Sequence, residues 1–455
     1  MTKSAEVQTA QLSLEGARAY LLDRARARGV TLEVYGERGT STGVQAFGGE
    51  VSEFKLSARQ GVALRVVVGG AWGHSYTENL SRPALDRALD MAVENAELVA
   101  PEAGAGVQHW PPPPELDLYG EGLSGVTVEQ KVDVALELDR AARDADPRVA
   151  SVPYGGYEDG DTLRLVGNTA GLGREARELY AMGYAYPLVT EGGQHKIQGD
   201  WQFTREFTEL DPTRTALSAV EKAVALLGAK AAPSGTFPAI LSGECLGQLL
   251  ALFAPMFSGQ MVEEGKSPLA GRLGEAVASP LVTLTDDPTL LRGLQSRAFD
   301  AEGCPSVPLT LIEGGRLSAF LHNAATAARA GTVSTGHASR QGIQGTVGVA
   351  PSNLVLHAGG AQAARLSAGL TGVRVTGVSG GHAGAKPITG DFSLEAEGFW
   401  VEGGEVAHPL EVFTVAGNIL DLLVGIEAVG RELRETQYAV NAPDVRVGAL
   451  AIGGM

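Results

Sequence analysis

Sixty-one glycines are spread along this chain without a collagen period and without a polar low-complexity tract. Glycine so distributed marks many turns and bulges, because it supplies backbone angles that other residues avoid. The expected fold class is therefore α+β: helices with mostly antiparallel sheets, and a β-rich C-terminal domain.

A length of 455 residues exceeds what one hydrophobic core serves and predicts two or three domains. The 53 acidic residues outnumber the 36 basic ones, so the surface should repel phosphate backbones, which argues against direct binding of nucleic acid. Cys245 and Cys304 stand far apart and form no Cys-x-x-Cys pair. A disulfide framework and a structural zinc knot are both disfavoured, which points to a reducing cytoplasm. Met1 to Gln11 is polar, and no run of about 18 apolar residues suggests a membrane span.

Three segments are expected, 1–114, 115–232 and 233–455, the first boundary set by the extended run Pro111 to Pro114. Leu14, Ala17, Leu21 and Ala25 share one face of a helix from Ser13 to Arg28, which Gly29 stops. Strands are expected at Thr31 to Arg38, Thr42 to Phe47 and Gly61 to Val68, and Ser81 with Pro83 opens a second helix. His74, alone beside a Gly-Gly turn, reads as a strand-edge side chain.

In the central segment Thr127 and Gln130 form a capping box for a helix to Arg143. Strands are expected at Ala150 to Glu158, Thr162 to Asn168, Arg177 to Leu188 and Gln194 to Phe207, before a helix opened by Asp211-Pro212. Helix, strands, helix is thus written twice. Beyond Pro233 come a strand at Phe237 to Leu241, an apolar helix from Glu244 to Phe257, and a strand at Leu281 to Thr285. That strand ends in Asp286-Asp287-Pro288, where the paired carboxylates read as turn initiators rather than as an acid and a base.

Gly372 to Ser393 has the composition of a site or of a tight set of turns: six glycines with Ser379, His382, Lys386 and Asp391. Gly377-Val378-Ser379-Gly380-Gly381 matches the Gly-x-Ser-x-Gly nucleophile elbow, and Asp391 and His408 follow in the order a hydrolase triad needs. An elbow requires a helix after the serine, and Gly-Gly-His-Ala-Gly-Ala-Lys-Pro starts one poorly.

A series of motifs resembles the TldD/PmbA family. They include Pro305 to Gly315, Phe320-Leu321-His322-Asn323 with Thr326-Ala327, Ser334-Thr335-Gly336-His337-Ala338 and Pro351-Ser352-Asn353-Leu354. Thr389-Gly390-Asp391-Phe392-Ser393, Gly398 to Glu402 and Thr414 to Asn418 continue it, and Lys266-Ser267, Gly271-Arg272-x-Gly274 and the Asp286-Asp287-Pro288 turn precede it. The resemblance implies one of two kinds of subunit in intracellular dimers that cleave peptides within an enclosed chamber. The TldD kind carries a zinc helix, His-Glu-x-x-x-His, completed by a cysteine near the C-terminus. The PmbA kind, also called TldE and grouped with modulators of DNA gyrase, lacks those ligands.

This sequence resembles the second kind. Counted back from Gly271, the zinc window falls at Leu250-Ala251-Leu252-Phe253-Ala254-Pro255, and Arg431-Glu432-Leu433-Arg434 follows Val429-Gly430 where the cysteine is expected. The implied reading is a non-catalytic subunit with no metal ligands and no cofactor of its own, paired with a TldD-like zinc subunit and acting on peptides or unfolded proteins. Gly380, Gly381, His382, Asp391 and Phe392 are the expected substrate-facing residues. A homodimer is expected in isolation. Two alternatives stay open: a free-standing hydrolase using Ser379, Asp391 and His408 or an unrecognised metal site, and a structural or regulatory homodimer.

Overall fold

The computed structural model describes residues 10–454; most of the polar stretch Met1 to Gln11, and Met455, lie outside them. Helix α1 (Leu14–Arg28) begins where Ser13 Oγ accepts from Gly16 N at 3.0 Å and ends at Gly29, whose φ is 66°. Strands β1 (Thr31–Phe47), β2 (Glu50–Val68) and β3 (Ala71–Thr77) follow, then α2 (Arg82–Glu97) behind the Ser81 cap position. The two strands expected within 31–47 are one. Gly39 pairs with Arg59 on one side and Thr162 on the other, so two neighbours hold the backbone extended through it. His74 is exposed on β3, the edge strand.

The second unit repeats the pattern. After β4 (Leu118–Tyr119) and α3 (Glu121–Ser124), helix α4 (Val128–Ala145) starts on the Thr127–Gln130 capping box. Strands β5 (Val149–Asn168), β6 (Gly173–Glu191), β7 (Gln194–Ile197) and β8 (Asp200–Thr204) lead to α5 (Pro212–Val224), capped by Asp211. β5 joins two expected strands into one, whereas the expected strand Gln194 to Phe207 is two.

β1 pairs with β5 from Glu33 to Gln45, so the units on either side of Pro111 to Pro114 share one eight-stranded sheet, ordered β3-β2-β1-β5-β6-β4 with β7 and β8 also paired to β6. Period-two alternation decides its faces. Leu32, Val34 and Leu64 pack with Leu21 and Leu85 of the helices, and Ala181 and Ala185 pack with Leu138 and Ala219. The opposite face carries Glu33, Glu37 and Arg65, all buried, and Tyr35, which packs against Phe299 of the C-terminal domain.

That domain starts with β9 (Gly235–Leu241) and α6 (Gly243–Phe253). Pro255 cannot extend the helix, and the chain tightens into a 3₁₀ turn at Ala254–Phe257 before α7 (Gly259–Glu263). Short elements follow: β10 (Leu284–Asp286), β11 (Leu309–Glu313), β12 (Arg316–Leu317), α8 (Ala324–Ala330), β13 (Ala338–Ser339), β14 (Gly348–Val349), β15 (Leu354–Leu356) and α9 (Ala363–Ser367). The last third holds β16 (Gly372–Ser379), α10 (Gly381–Gly384), β17 (Ala385–Lys386), β18 (Asp391–Glu402) and β19 (Glu405–Pro409). It ends with β20 (Phe413–Asn418), α11 (Ile419–Val424), β21 (Ile426–Arg434) and β22 (Val440–Gly454).

β22, β20, β18, β16 and β9 form a closed sheet, because Leu241 of β9 pairs with both Val375 of β16 and Val445 of β22. Closure removes free edges there, and its core of Leu241, Val375, Leu394, Phe413 and Val445 is continuous with the buried face of α6. The class is α+β, with mostly antiparallel sheets. Among the described residues, no helix is long and apolar enough to cross a membrane.

Candidate functional site

The window Leu250 to Pro255 spans the end of α6 and the 3₁₀ turn. Leu250, Phe253 and Ala254 are buried, and Phe253 lies 6.2 Å from the ring of Phe392. Gly381 rests on this same helix. A Cβ on Gly381 would stand 2.6 Å from Leu252 Cδ2, so the glycine permits the close approach. From the other side, a Cβ on Gly247 would meet Thr436 Cγ2 at 2.8 Å, which brings the chain just beyond Arg431–Arg434 alongside α6. The two stretches to which the resemblance assigns metal ligands therefore belong to neighbouring segments, the contact being made by Gly247 and Thr436 on their flanks. Their donor chemistry does not fit zinc: aliphatic and aromatic side chains line one, and the other is Arg-Glu-Leu-Arg. Among the described residues, no three His, Cys, Asp or Glu side chains are grouped to hold a metal ion. Cys245 is fully buried in α6, and burial pushes its thiol up, away from the thiolate form.

Ser379, Asp391 and His408 lie at three separate places along β18. Ser379 pairs with Glu395 and donates to its Oε2 at 3.2 Å. Asp391 opens the strand and accepts from Asn418 Nδ2 at 2.9 Å and Thr389 Oγ1 at 2.7 Å. His408 pairs with Trp400. At about 3.3 Å per residue, the Ser379 pairing site is roughly 13 Å from Asp391, and His408 lies about 16 Å further along. Strand register separates what chain order suggested. A helix does follow Ser379, contrary to the sequence expectation, but α10 is four residues long behind Gly380 at φ 73°. Ser379 itself lacks the strained backbone of an elbow, since Ala439 is the one non-glycine at positive φ among the described residues.

Of the expected substrate-facing residues, Gly380, His382 and Asp391 are exposed and Gly381 is partly so. Phe392 is not available to a substrate. Alternation along β18 turns Phe392, Leu394 and Ala396 inward, and Phe392 is a core side chain.

The two adjacent carboxylates at the end of β10 have different roles. Asp287 initiates the turn, accepting from Thr289 N at 2.8 Å and Thr289 Oγ1 at 2.6 Å. Asp286 is fully buried and accepts from Ser352 N at 2.7 Å, Ser352 Oγ at 2.5 Å and His337 Nε2 at 2.7 Å. His337 Nδ1 contacts Thr335 Oγ1 at 2.9 Å. The motifs around Asp286, His337 and Ser352 thus converge on one buried polar knot that ties three loops. Aspartate is its centre, so it is not a relay ending on a free nucleophile.

A second feature has no single motif behind it. A cavity of about 650 Å³ lies between the polar face of the eight-stranded sheet and two C-terminal segments, Leu294 to Ala301 and Ala338 to Gln344. The sheet side carries Tyr35, Thr162, Arg164, Glu178, Tyr180 and Phe203, with Tyr180 stacked on Phe203 at 5.6 Å. Arg164 is paired with Glu178 at 2.7 Å, and Arg59 with Glu37 at 3.0 Å. Asp300, on the opposite wall, is pushed up to about 7 by burial and by neighbouring Glu302.

A closed sheet packed on an apolar helix, beside a shared sheet that forms one wall of a cavity, defines an α+β protein. Profiles described as PmbA/TldA metallopeptidase domain 1, central domain and C-terminal domain match residues 32–96, 121–227 and 234–454. The chain belongs to the PmbA/TldD family. It is 28% identical to a metalloprotease PmbA homolog of Haemophilus influenzae, over 99% of this chain and 100% of that one. A solved structure of a candidate modulator of a DNA gyrase from Thermotoga maritima is 30% identical, with a TM-score of 0.90, covering 97% of this chain and 100% of the other. TldE from Thermococcus kodakarensis shares the fold at a TM-score of 0.86 and 23% identity, covering 96% of this chain and 100% of that one.

Proposed function

We propose that this chain is the PmbA/TldE-like, non-catalytic subunit of an intracellular metallopeptidase pair, and that a TldD-like subunit supplies zinc and the cleavage step. The observation that carries this reading is the end of α6: an apolar Leu250 to Ala254, with Leu250, Phe253 and Ala254 buried in the core that holds Phe392 and Leu394, where a metal subunit would need imidazoles. Its own contribution is shape. The exposed Gly380 has open space where a side chain would stand, and Gly381 lets the turn lie against Leu252, so an extended peptide can approach bare backbone there. The protein substrates of such a pair would account for an indirect effect on gyrase by a chain this acidic.

The test is a peptide-cleavage and metal-content assay of the chain alone and mixed with a TldD-like protein bearing His-Glu-x-x-x-His. The expected result is a stable complex that cleaves unfolded peptides, with no cleavage and no stoichiometric zinc for the chain alone. Ser379→Ala is expected to leave the pair's activity unchanged and to shift stability by less than about 0.5 kcal/mol, because Ser379 is exposed with one long hydrogen bond. Cleavage by the isolated chain that disappears in Ser379→Ala, or failure to associate with any TldD-like subunit, overturns the proposal.

A further inference from the structure

The cavity between the sheet and the C-terminal domain is lined by two arginines with buried guanidinium N–H groups that have no hydrogen-bond partner among the described residues. Arg297 has Nε and Nη2 buried with no hydrogen-bond partner, and Arg340 has Nε in the same state. Neither forms an ion pair among the described residues, although both line the cavity. Buried donors left unmade are costly, and guanidinium donors more so, which makes two of them on one cavity a site built for an acceptor the chain does not itself supply.

The other cations there are committed. Arg164 and Arg59 are held by Glu178 and Glu37, and Arg205 donates to the carbonyls of Leu118, Leu179, Leu291 and Gly293. The two acids that act on Arg297 are occupied elsewhere: Asp286 accepts from Ser352 and His337, and Asp300 accepts from Glu302 N and Cys304 N at Oδ1 and from Ala338 N at Oδ2. The Arg340 guanidinium carbon lies 5.5 Å from the centre of the Tyr35 ring, within cation–π range.

We infer that this cavity binds the free α-carboxylate of a short peptide, with Arg297 and Arg340 as the carboxylate-binding residues and the Tyr180–Phe203 stack as the wall for the terminal apolar side chain. The planar guanidinium fork matches a carboxylate in two parallel hydrogen bonds. Glu37, Glu78, Glu178 and Asp300 on the same lining disfavour a dianion, so a singly charged carboxylate suits the site better than phosphate. The volume of about 650 Å³ is within the range of small-ligand sites. The choice of a peptide as the carrier of the carboxylate rests on the proposed peptide-handling role; the carboxylate chemistry rests on the cavity alone.

The experiment is isothermal titration calorimetry of the full chain with an N-acetylated tripeptide ending in leucine, as the free acid and as the C-terminal amide, with inorganic phosphate as a competitor. The acid is expected to bind at least about tenfold more tightly than the amide, the discrimination expected for hydrogen bonds to a charged group. Arg297→Gln is expected to abolish that preference and Arg340→Gln to reduce it. Should Arg297→Gln fail to fold, the acid-to-amide ratio of the unaltered chain and of Arg340→Gln decides the matter. Equal binding of acid and amide, no binding of either, or displacement of the acid by equimolar phosphate overturns the inference. Because no zinc subunit is present, this outcome is independent of whether the pair forms.

Discussion

Arg65→Met is expected to destabilise the protein by about 3–5 kcal/mol, the cost of removing one member of a buried charge cluster. Arg65 Nε donates to Glu33 Oε1 at 2.9 Å within the eight-stranded sheet, and its Nη2 donates to Glu302 Oε1 at 2.8 Å in the C-terminal domain. All three side chains are nearly inaccessible, and burial already pushes the Glu33 carboxyl up against the pull of Arg65. Methionine would fill much of the volume but leave two desolvated carboxylates without their hydrogen-bonded cation, the Arg340 guanidinium being the one that still acts on both. Glu302 also accepts from Ala324 N at 2.8 Å, so the loss extends to the start of α8. Urea unfolding followed by tryptophan fluorescence measures the effect, with the triple variant Arg65→Met, Glu33→Gln, Glu302→Gln as the comparison. The triple variant should recover most of the loss. A single-variant loss below about 1 kcal/mol would mean that the cluster does not join the two parts of the molecule.

Asp286→Ala is expected to cost about 3 kcal/mol or more, whereas Asp287→Ala next to it should cost about 1 kcal/mol. Removing the Asp286 carboxylate strands the Ser352 N–H, the Ser352 hydroxyl and His337 Nε2 in a site with no access to water. Removing the Asp287 carboxylate frees only the N–H and hydroxyl of Thr289, which are partly solvated, and leaves the Asp287 N to Asn353 O bond of 2.7 Å in place. Thermal unfolding of the two variants at one pH distinguishes them. Equal losses would contradict the assignment of Asp286 as the centre of the knot.

That pair also marks where sequence reading stops. Both aspartates precede Pro288, and turn chemistry, which is local, describes Asp287 fully. The burial of Asp286 depends on Ser352 and His337 arriving from 66 and 51 residues away. Local signals fared well elsewhere: Thr127 and Asp211 cap the helices that their side chains announce, and Ser81 occupies its N-cap position although its hydroxyl makes no capping bond. Strand lengths did not, because Gly39 to Ser41 and Asp159 to Asp161 look like breaks until β1 and β5 are seen to pair with each other across them. The apparent Ser379, Asp391, His408 order was cheap in a glycine-rich chain, and the register of β18 spreads it over tens of ångströms. Arg297 and Arg340 carried no motif; a missing partner is visible only when every neighbour is known.

The closure of the C-terminal sheet has a consequence for how the chain must be made. β9 pairs with β22 between Gly235 and Ile452, so the first strand of the domain waits for the last one to leave the ribosome. Helix α6, with Leu246, Leu249, Leu250 and Phe253 on its buried face, packs on β22 and has no complete cover before then. Contacts so distant in sequence close slowly, and the exposed apolar helix is in the meantime a target for aggregation or for a chaperone. Truncation anywhere inside β22 should therefore yield an insoluble product, although the eight-stranded sheet is complete more than 200 residues earlier.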